Sequence, residues 1–359
     1  MKAARLICGT GRTQTRMGEA PQFAEGLYEL ASNSYAWMVP NGSWGETNLG
    51  LLRCGDQSVL IDTCWDLHFM REMLTCAAPV LDDAPIRHVI NTHADGDHCW
   101  SNQLFAGAAI TSTHASAEQM HRHPPAQLRA LQWGASLFQH LPLAHVDTLG
   151  RYMGSMLRPY RFKGVRVQVA NRTFSGETTI DVNGVTLHLL EVGPAHTDGD
   201  CMVHVPERGV VYTGDILFVG VTPVAWAGPV SRIVSALRRV QAMQAAVIVP
   251  GHGRLASLTD VQQQIDYWDW AQSALHVLAQ KGMSPYQATQ ACLHSHQFKR
   301  AEFASWLAPE RLFTSACTLY REWGIGTPGK AGPLGTLNHF RLQASLAPDT
   351  GCDAPNLRR

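Results

Sequence analysis

His93-Ala94-Asp95-Gly96-Asp97-His98 packs two imidazoles and two carboxylates into six residues, directly behind the apolar run 86–91 (IRHVIN). That run reads as a buried strand, and a motif just past a strand end lies where loops gather around a site. Two acids and two imidazoles cannot all be buried without a cation to offset their desolvation and the repulsion between the carboxylates. A polar turn in water is the plainer reading of the hexapeptide taken alone.

Three later segments shift the balance toward metal binding: Gly193-Pro194-Ala195-His196-Thr197, Tyr212-Thr213-Gly214-Asp215 and Val249-Pro250-Gly251-His252-Gly253. In each, a strand-like run ends in small residues and then one ligand type. Glycine there lets the backbone turn sharply and come close to an ion. With the hexapeptide they supply four histidines and three carboxylates, enough for two ions with positions open to water or substrate.

Outward from these motifs, short strands read at 26–31, 34–39, 48–53 and 57–61, a helix at 65–78, helical stretches near 125–140 and 147–157, and strands again in 165–170, 178–182, 185–192, 201–206, 209–215 and 245–252. One helix falls near 230–244, and helical periodicity dominates 258–281, the stretch from 284 and the stretch around 309–323. Two strand-rich halves, each followed by helices, fit two sheets packed face to face with helices outside, an α/β four-layer αββα sandwich. The expected organisation is a leader over 1–24, the main domain over 25–257 with a lid insertion at 115–163, a C-terminal helical extension over 258–345 and a tail over 346–359 whose last dozen residues read as disordered.

Composition narrows the partners. Of 359 residues 45% are hydrophobic, enough for a sizeable core, and 29 basic side chains balance 29 acidic ones, so no overall field draws the chain to nucleic acid or an anionic membrane. A small molecule is the expected partner. The basic opening MKAARLICGTGRTQTRMGEA lacks the apolar stretch of a secretion signal, no later run has the length of a membrane span, and no phosphate loop or G-x-G-x-x-G is present. Nine widely spaced cysteines, without a C-x-x-C pair, suggest thiols in a reducing, cytoplasmic setting rather than a disulfide frame.

The ordered series of motifs resembles the metallo-β-lactamase fold superfamily, whose usual pattern is H-x-H-x-D-H followed by a single His, a single Asp and a single His. The resemblance runs over 25–253 and includes Leu60-Ile61-Asp62-Thr63 at the strand end before the first helix; the weaker match 283–322 resembles the helical tail of many such hydrolases. It implies one metal site of His93, Asp95 and His196, a second of Asp97, His98 and His252, and Asp215 bridging both. A bridging Asp215 resembles the glyoxalase, lactonase and phosphodiesterase branches rather than true β-lactamases. Asp95 departs from the pattern: a carboxylate where most of these hydrolases have His makes the site harder, favouring iron or manganese relative to zinc, and resembles the diiron members, which carry Glu there.

The leading expectation is a dinuclear hydrolase of a small ester, thioester, lactone or phosphoester, with zinc as the first choice of ion and Asp97 and Asp215 as the catalytic carboxylates. Rival readings are a diiron redox enzyme, which would need an outside reductase, and a non-catalytic metal binder. Asp62 either accepts a hydrogen bond from a ligand imidazole or caps the following helix. His121 and His123 read as exposed turn residues, Asp198 and Asp200 as turn and loop supports, and Cys99 and Trp100 as buried spectators. The aromatics Trp133, Phe138, Tyr152, Tyr160 and Phe162 read as core; any that faced the metals would imply a substrate with an apolar part.

Overall fold

The strand Ser34–Met38 is buried along its whole length, yet its side chains divide by parity: Tyr35 and Trp37 enter one core, Ala36 and Met38 another. A sheet covered on both faces needs layers on both sides, and that requirement organises the molecule. The structure, a computed structural model, describes residues 4–42, 44–122, 124–138, 144–325 and 332–347.

The first sheet runs β1 (Arg5–Gly9), β2 (Gly26–Ala31), β3 (Ser34–Met38), β4 (Leu49–Cys54), β5 (Gln57–Ile61), β6 (Ile86–Ile90), β7 (Ala109–Thr113) and β8 (Arg172–Phe174) in spatial order. It is antiparallel as far as β5 and parallel from β5 to β8. The second sheet comprises β9 (Glu177–Val182), β10 (Val185–Glu191), β11 (Cys201–Val205), β12 (Val210–Tyr212) and β13 (Val247–Val249), antiparallel except for the β12–β13 pair.

Between the sheets Ala36, Leu52, Val59, Ile61 and Ile90 meet Leu187, Leu189, Val203, Val210 and Val249. Outside the first sheet, α1 (Leu67–Leu81) and α5 (Ala144–Leu157) bury Phe69, Met73, Tyr152 and Met156 against Trp37, Leu49 and Leu51. Outside the second, α6 (Val230–Met243), α7 (Leu258–Gln280) and α10 (Leu312–Glu322) bury Ile233, Leu237, Trp268 and Leu319 against Met202 and Val211. The αββα sandwich and its C-terminal helices are therefore as expected. The other helices are α2 (Gly96–Cys99), α3 (His114–Met120), α4 (Pro125–Phe138), α8 (Pro285–His294), α9 (His296–Arg300) and α11 (Gly332–Leu346). The sequence explains where α7 starts: Ser257 Oγ accepts from Asp260 N at 3.2 Å while Asp260 Oδ2 accepts from Ser257 N at 2.8 Å, a capping box.

Two readings are corrected and a third is filled in. Residues 165–170 form no strand; side chains hold them instead, Asn102 Nδ2 donating to Gln168 O at 3.1 Å and Arg166 N to Gln103 Oε1 at 2.6 Å. Within the stretch read as a leader, residues 5–9 form the edge strand β1, paired with β2. A disulfide joins Cys8 of β1 to Cys76 of α1 across 68 residues, a pairing that spacing cannot reveal. Cys54, Cys64, Cys99, Cys201 and Cys292 are buried thiols, in line with the reading of the rest. No helix among the described residues is long and apolar enough to cross a membrane. His123, Cys352 and the tail from 348 lie outside the described residues.

Candidate metal centre

Five chain segments deliver side chains to one edge of the sandwich: the ends of β5, β6, β12 and β13, and the loop after β10. They carry Asp62, His93 to His98, Asp215, His252 and His196. Local backbone makes the approach possible. Gly214 adopts φ +51°, where a Cβ would also strike Thr92, and a Cβ on Gly251 would collide with Asp215 Oδ1.

His93, His196 and Asp215 each offer a ligand atom, all within 4.8 Å of one another, and so do Asp97, His98 and His252. Asp215 stands between the groups. Its Oδ2 lies 3.9 Å from His93 Nε2, 3.4 Å from His196 Nε2 and 3.2 Å from His252 Nε2, and its Oδ1 lies 3.1 Å from His98 Nε2. Asp95 is not in the compact first group. Its Oδ2 is 3.2 Å from His196 Nε2 and 3.9 Å from His93 Nε2, and its side chain is 32% exposed.

Every imidazole is held from behind at Nδ1. His98 Nδ1 lies 2.9 Å from Asp62 Oδ2, His196 Nδ1 2.6 Å from the Val224 carbonyl, and His252 Nδ1 3.1 Å from the Glu46 carbonyl. His93 Nδ1 lies 3.0 Å from Thr92 Oγ1, whose single proton is donated to Asp62 Oδ2 at 2.7 Å; the hydroxyl must therefore accept from the ring. Because carbonyls and carboxylates only accept, each ring carries its proton on Nδ1 and turns Nε2 toward Asp215. That is the tautomer a metal needs, and outer partners of this kind orient ligand imidazoles.

The inward side is unsatisfied. His93 Nε2, His98 Nε2 and Asp215 Oδ1 are buried without a hydrogen-bond partner. Buried polar atoms are rarely left so unless something else occupies the space between them. The field points the same way. Burial opposes charge on His196, yet its hydrogen bond to Asp95 and the Asp215 carboxylate outweigh it and lift the ring to about 9. Burial likewise opposes charge on His98, but Asp215, Asp62 and Asp97 hold that ring well above its ordinary value. Burial and the neighbouring His98 keep His93 well below its own. For Asp215, His252 and His98 overcome burial and hold the carboxyl well below the usual carboxylate range. A pocket of carboxylates and inward Nε2 atoms has a strong affinity for positive charge, and the donor set of imidazole and carboxylate fits divalent ions.

Asp62 does more than either sequence reading proposed: besides meeting His98, its Oδ1 accepts from Thr92 N at 2.7 Å. The cap of α1 is Asp66 instead, accepting from Phe69 N at 2.9 Å. Asp200 is buried and accepts from Thr197 N at 2.8 Å and Thr197 Oγ1 at 2.9 Å, closing the turn behind His196; burial raises its carboxyl to about 7. Asp198 lies outside, 3.2 Å from Arg122. His121 is exposed, and Cys99 is buried with Sγ donating to the Ala94 carbonyl. Trp100, Tyr160 and Phe162 cluster around Trp65 in the core, while Trp133 stands out in solvent.

Sequence reasoning missed four contributors. Thr47 Oγ1 donates to Asp97 Oδ2 at 2.9 Å, and Asn48 Nδ2 donates to the Pro250 and Gly253 carbonyls on either side of His252 at 3.0 and 2.8 Å. Phe218 stacks on His252 with ring centroids 5.1 Å apart and meets the edge of His196 at 5.8 Å. The hydroxyl of Thr92 is the fourth. Thr47 and Asn48 sit in no ligand-dense stretch, whereas Thr92 directly precedes His93 and Phe218 follows Asp215 by three residues, so both could have drawn notice as neighbours of ligands.

Comparison with known proteins agrees with this architecture. No curated protein sequence matches the chain significantly. A metallo-beta-lactamase family protein from Thermus thermophilus is 20% identical with a TM-score of 0.59, the match covering 84% of this chain and 98% of that one. A stereoselective inverting sec-alkylsulfatase from Pseudomonas sp. is 15% identical with a TM-score of 0.58, covering 87% of this chain and 52% of the other, so this chain spans about half of that enzyme's length. At these identities the likeness concerns the fold. The sequence model described as the metallo-beta-lactamase superfamily matches residues 42–252, more than half of the chain and the whole run from the loop before β4 to His252. The chain belongs to the metallo-beta-lactamase superfamily.

Proposed function

We propose that the protein is a dinuclear metal-dependent hydrolase of a small organic ester, thioester, lactone or phosphoester. The observation that carries this reading is the common orientation of His93, His98, His196 and His252, each tied at Nδ1 and facing Asp215 with Nε2. His93 and His196 would hold one ion, Asp97, His98 and His252 the other, with Asp215 shared. Two bound divalent ions supply Lewis acidity and bring a water molecule's pKa toward neutrality.

The chain's own residues do the rest. Asp215, reached by all four rings and buried, fixes the spacing between the groups. Thr47 engages Asp97 Oδ2, which leaves Oδ1 to orient a water on the open side, where Asp97 is 15% exposed. Asp95, more exposed still, stands at the mouth as an acceptor for a proton or a hydrogen bond from an incoming molecule. Phe218 covers His252 and excludes water from that flank.

One observation favours a second reading. The Asp95 carboxylate lies against both His93 and His196, and a carboxylate at this place makes the first group harder than three imidazoles would, suiting iron and redox chemistry. Metal content decides. The purified chain, expressed in media supplemented separately with zinc, iron and manganese, is expected to hold about two zinc ions per chain and to hydrolyse at least one compound in a panel of 4-nitrophenyl esters, thioesters, lactones, phosphodiesters and sulfate esters. Two iron ions with oxygen consumption and an inactive panel would replace the hydrolytic reading; no bound metal under any condition would end both.

A further inference from the structure

Arg311 occupies the turn just before α10 with 8% of its surface exposed, and its Nη1 is buried without a hydrogen-bond partner. Elsewhere a withdrawn guanidinium is neutralised: the Arg16 side chain, 2% exposed, meets Glu25 at 2.6 Å. Among the described residues no carboxylate pairs with Arg311. A guanidinium withdrawn from water and left unpaired is costly, so chains seldom keep one without an anion to meet it.

The acid adjacent in the chain makes no ion pair with it. Glu310 is turned into a separate buried chain: Tyr152 Oη donates to Glu310 Oε1 at 2.9 Å, Gln343 Nε2 donates to Tyr152 Oη at 2.9 Å, and Thr314 Oγ1 donates to Gln343 Oε1 at 2.7 Å. Burial also raises the Glu310 carboxyl, favouring its neutral form.

Position gives the unpaired charge a use. The Arg311 Cζ lies 5.6 Å from the centroid of Phe218, whose ring stacks on His252 and touches His196. The guanidinium is therefore one aromatic ring away from the metal centre. Its backbone is fixed there, since Leu307 N donates to Gly220 O and Thr222 N to Leu307 O, both at 2.9 Å, strapping the segment before Arg311 to the loop that carries Phe218. We infer that Arg311 anchors an oxyanion of the substrate, a carboxylate, sulfate or phosphate set one ring's width from the bond that is cut. The fork of N–H donors matches such groups in pairs, and a preplaced fork loses little entropy on binding. The assignment of this anion to a substrate rests on the hydrolase reading; the existence of the anion site does not.

The test measures binding rather than turnover. The metal-loaded full chain, its Arg311→Gln variant and its Arg311→Lys variant are titrated calorimetrically with glutarate, inorganic sulfate, inorganic phosphate and the neutral dimethyl glutarate. At least one oxyanion should bind the wild type, at least tenfold more weakly the Gln variant and to an intermediate degree the Lys variant, with dimethyl glutarate indifferent to all three; which oxyanion does so names the group. Equal affinity of every oxyanion for wild type and Gln variant would place any binding on the ions and overturn the anchor. Should the Gln variant fold poorly, phenylglyoxal labelling of wild-type Arg311, followed by peptide mass spectrometry, serves instead: protection by an oxyanion but not by dimethyl glutarate supports the site, and no protection by any of them refutes it. An Arg311-dependent anion site on a chain that hydrolyses nothing in the panel would leave the anion site standing and remove both the hydrolytic reading and the assignment of the anion to a substrate.

Discussion

The two ligand groups of the centre are supported differently. In the second, every member has its own outer contact: Asp97 with Thr47, His98 with Asp62, His252 with the Glu46 carbonyl and the face of Phe218. In the first, His93 and His196 are as well held, but Asp95, the residue that the superfamily pattern would add to them, is one-third exposed and among the described residues its carboxylate pairs only with the rings it would assist. Asp215 belongs to both. One group thus has an outer contact at every member and the other is a pair of rings with a partly exposed acid at its lip, so that on the proposed dinuclear reading the two ions would differ in affinity.

The largest effect should come from the shared member. Asp215→Asn removes the charge that faces four Nε2 atoms and is expected to lower metal content from about two ions to less than one per chain and to abolish hydrolysis. A variant that keeps both ions by elemental analysis would show that Asp215 is not the bridge. Next comes the contrast between the acids of the hexapeptide. Asp97→Asn should cost one ion per chain, whereas Asp95→Asn should keep both and change activity more than metal content. Equal losses in the two variants would erase the distinction between the groups. Stepwise chelation sharpens it further: one ion should leave at a lower chelator concentration than the other, and Asp95→Asn should move only the first of the two steps.

A smaller effect is expected behind the rings. Asp62 is bonded at once to Thr92 N, Thr92 Oγ1 and His98 Nδ1, so it sets the tautomers of two ligands, one in each group. Asp62→Asn can still accept from Thr92 N, but it presents an amide to a ring proton. Metal affinity should fall by about 10- to 100-fold, at both ions rather than at one, as read by chelator competition. A loss confined to one ion would mean that Thr92 holds His93 without help from Asp62.

How much of this was open to reading from the sequence depended on whether a residue acts through its neighbours in the chain or through the fold. His93, Asp97, His98, His196, Asp215 and His252 were legible because each follows a strand end and small residues, and the spacing of such endings is a local signal. The sandwich was legible for the same reason, from strand-rich halves followed by helices. Thr47, Asn48 and Phe218 were not, because a hydroxyl 50 residues from Asp97 or an amide 202 residues from Pro250 has no mark in one dimension. Nor was β1, whose half-exposed RLICG carries little hydrophobic alternation and gains its place by pairing with β2 and by the bond from Cys8 to Cys76. Asp95 was legible by pattern as well, and the fold sets its carboxylate against His93 and His196, more exposed than the compact group.

The smallest expected effect tests whether the two groups are mechanically separate. Thr47 lies just before β4, and its hydroxyl donates to Asp97 Oδ2 while its backbone bridges to His252. Thr47→Val keeps the branched shape and the backbone bridge and deletes only the donor. A hydrogen bond to a charged acceptor contributes about 1.5–3 kcal/mol, part of which water recovers at a carboxylate that is 15% exposed. The second ion should therefore bind about tenfold more weakly, with the first unchanged, because the outer contacts of His93 and His196 are made by Thr92 and Val224 and not by Thr47. Chelator competition resolves the two constants. Equal weakening of both ions would mean that a strain at Asp97 is passed through Asp215 to the first group, so that the bridge couples the sockets more tightly than their separate outer contacts suggest.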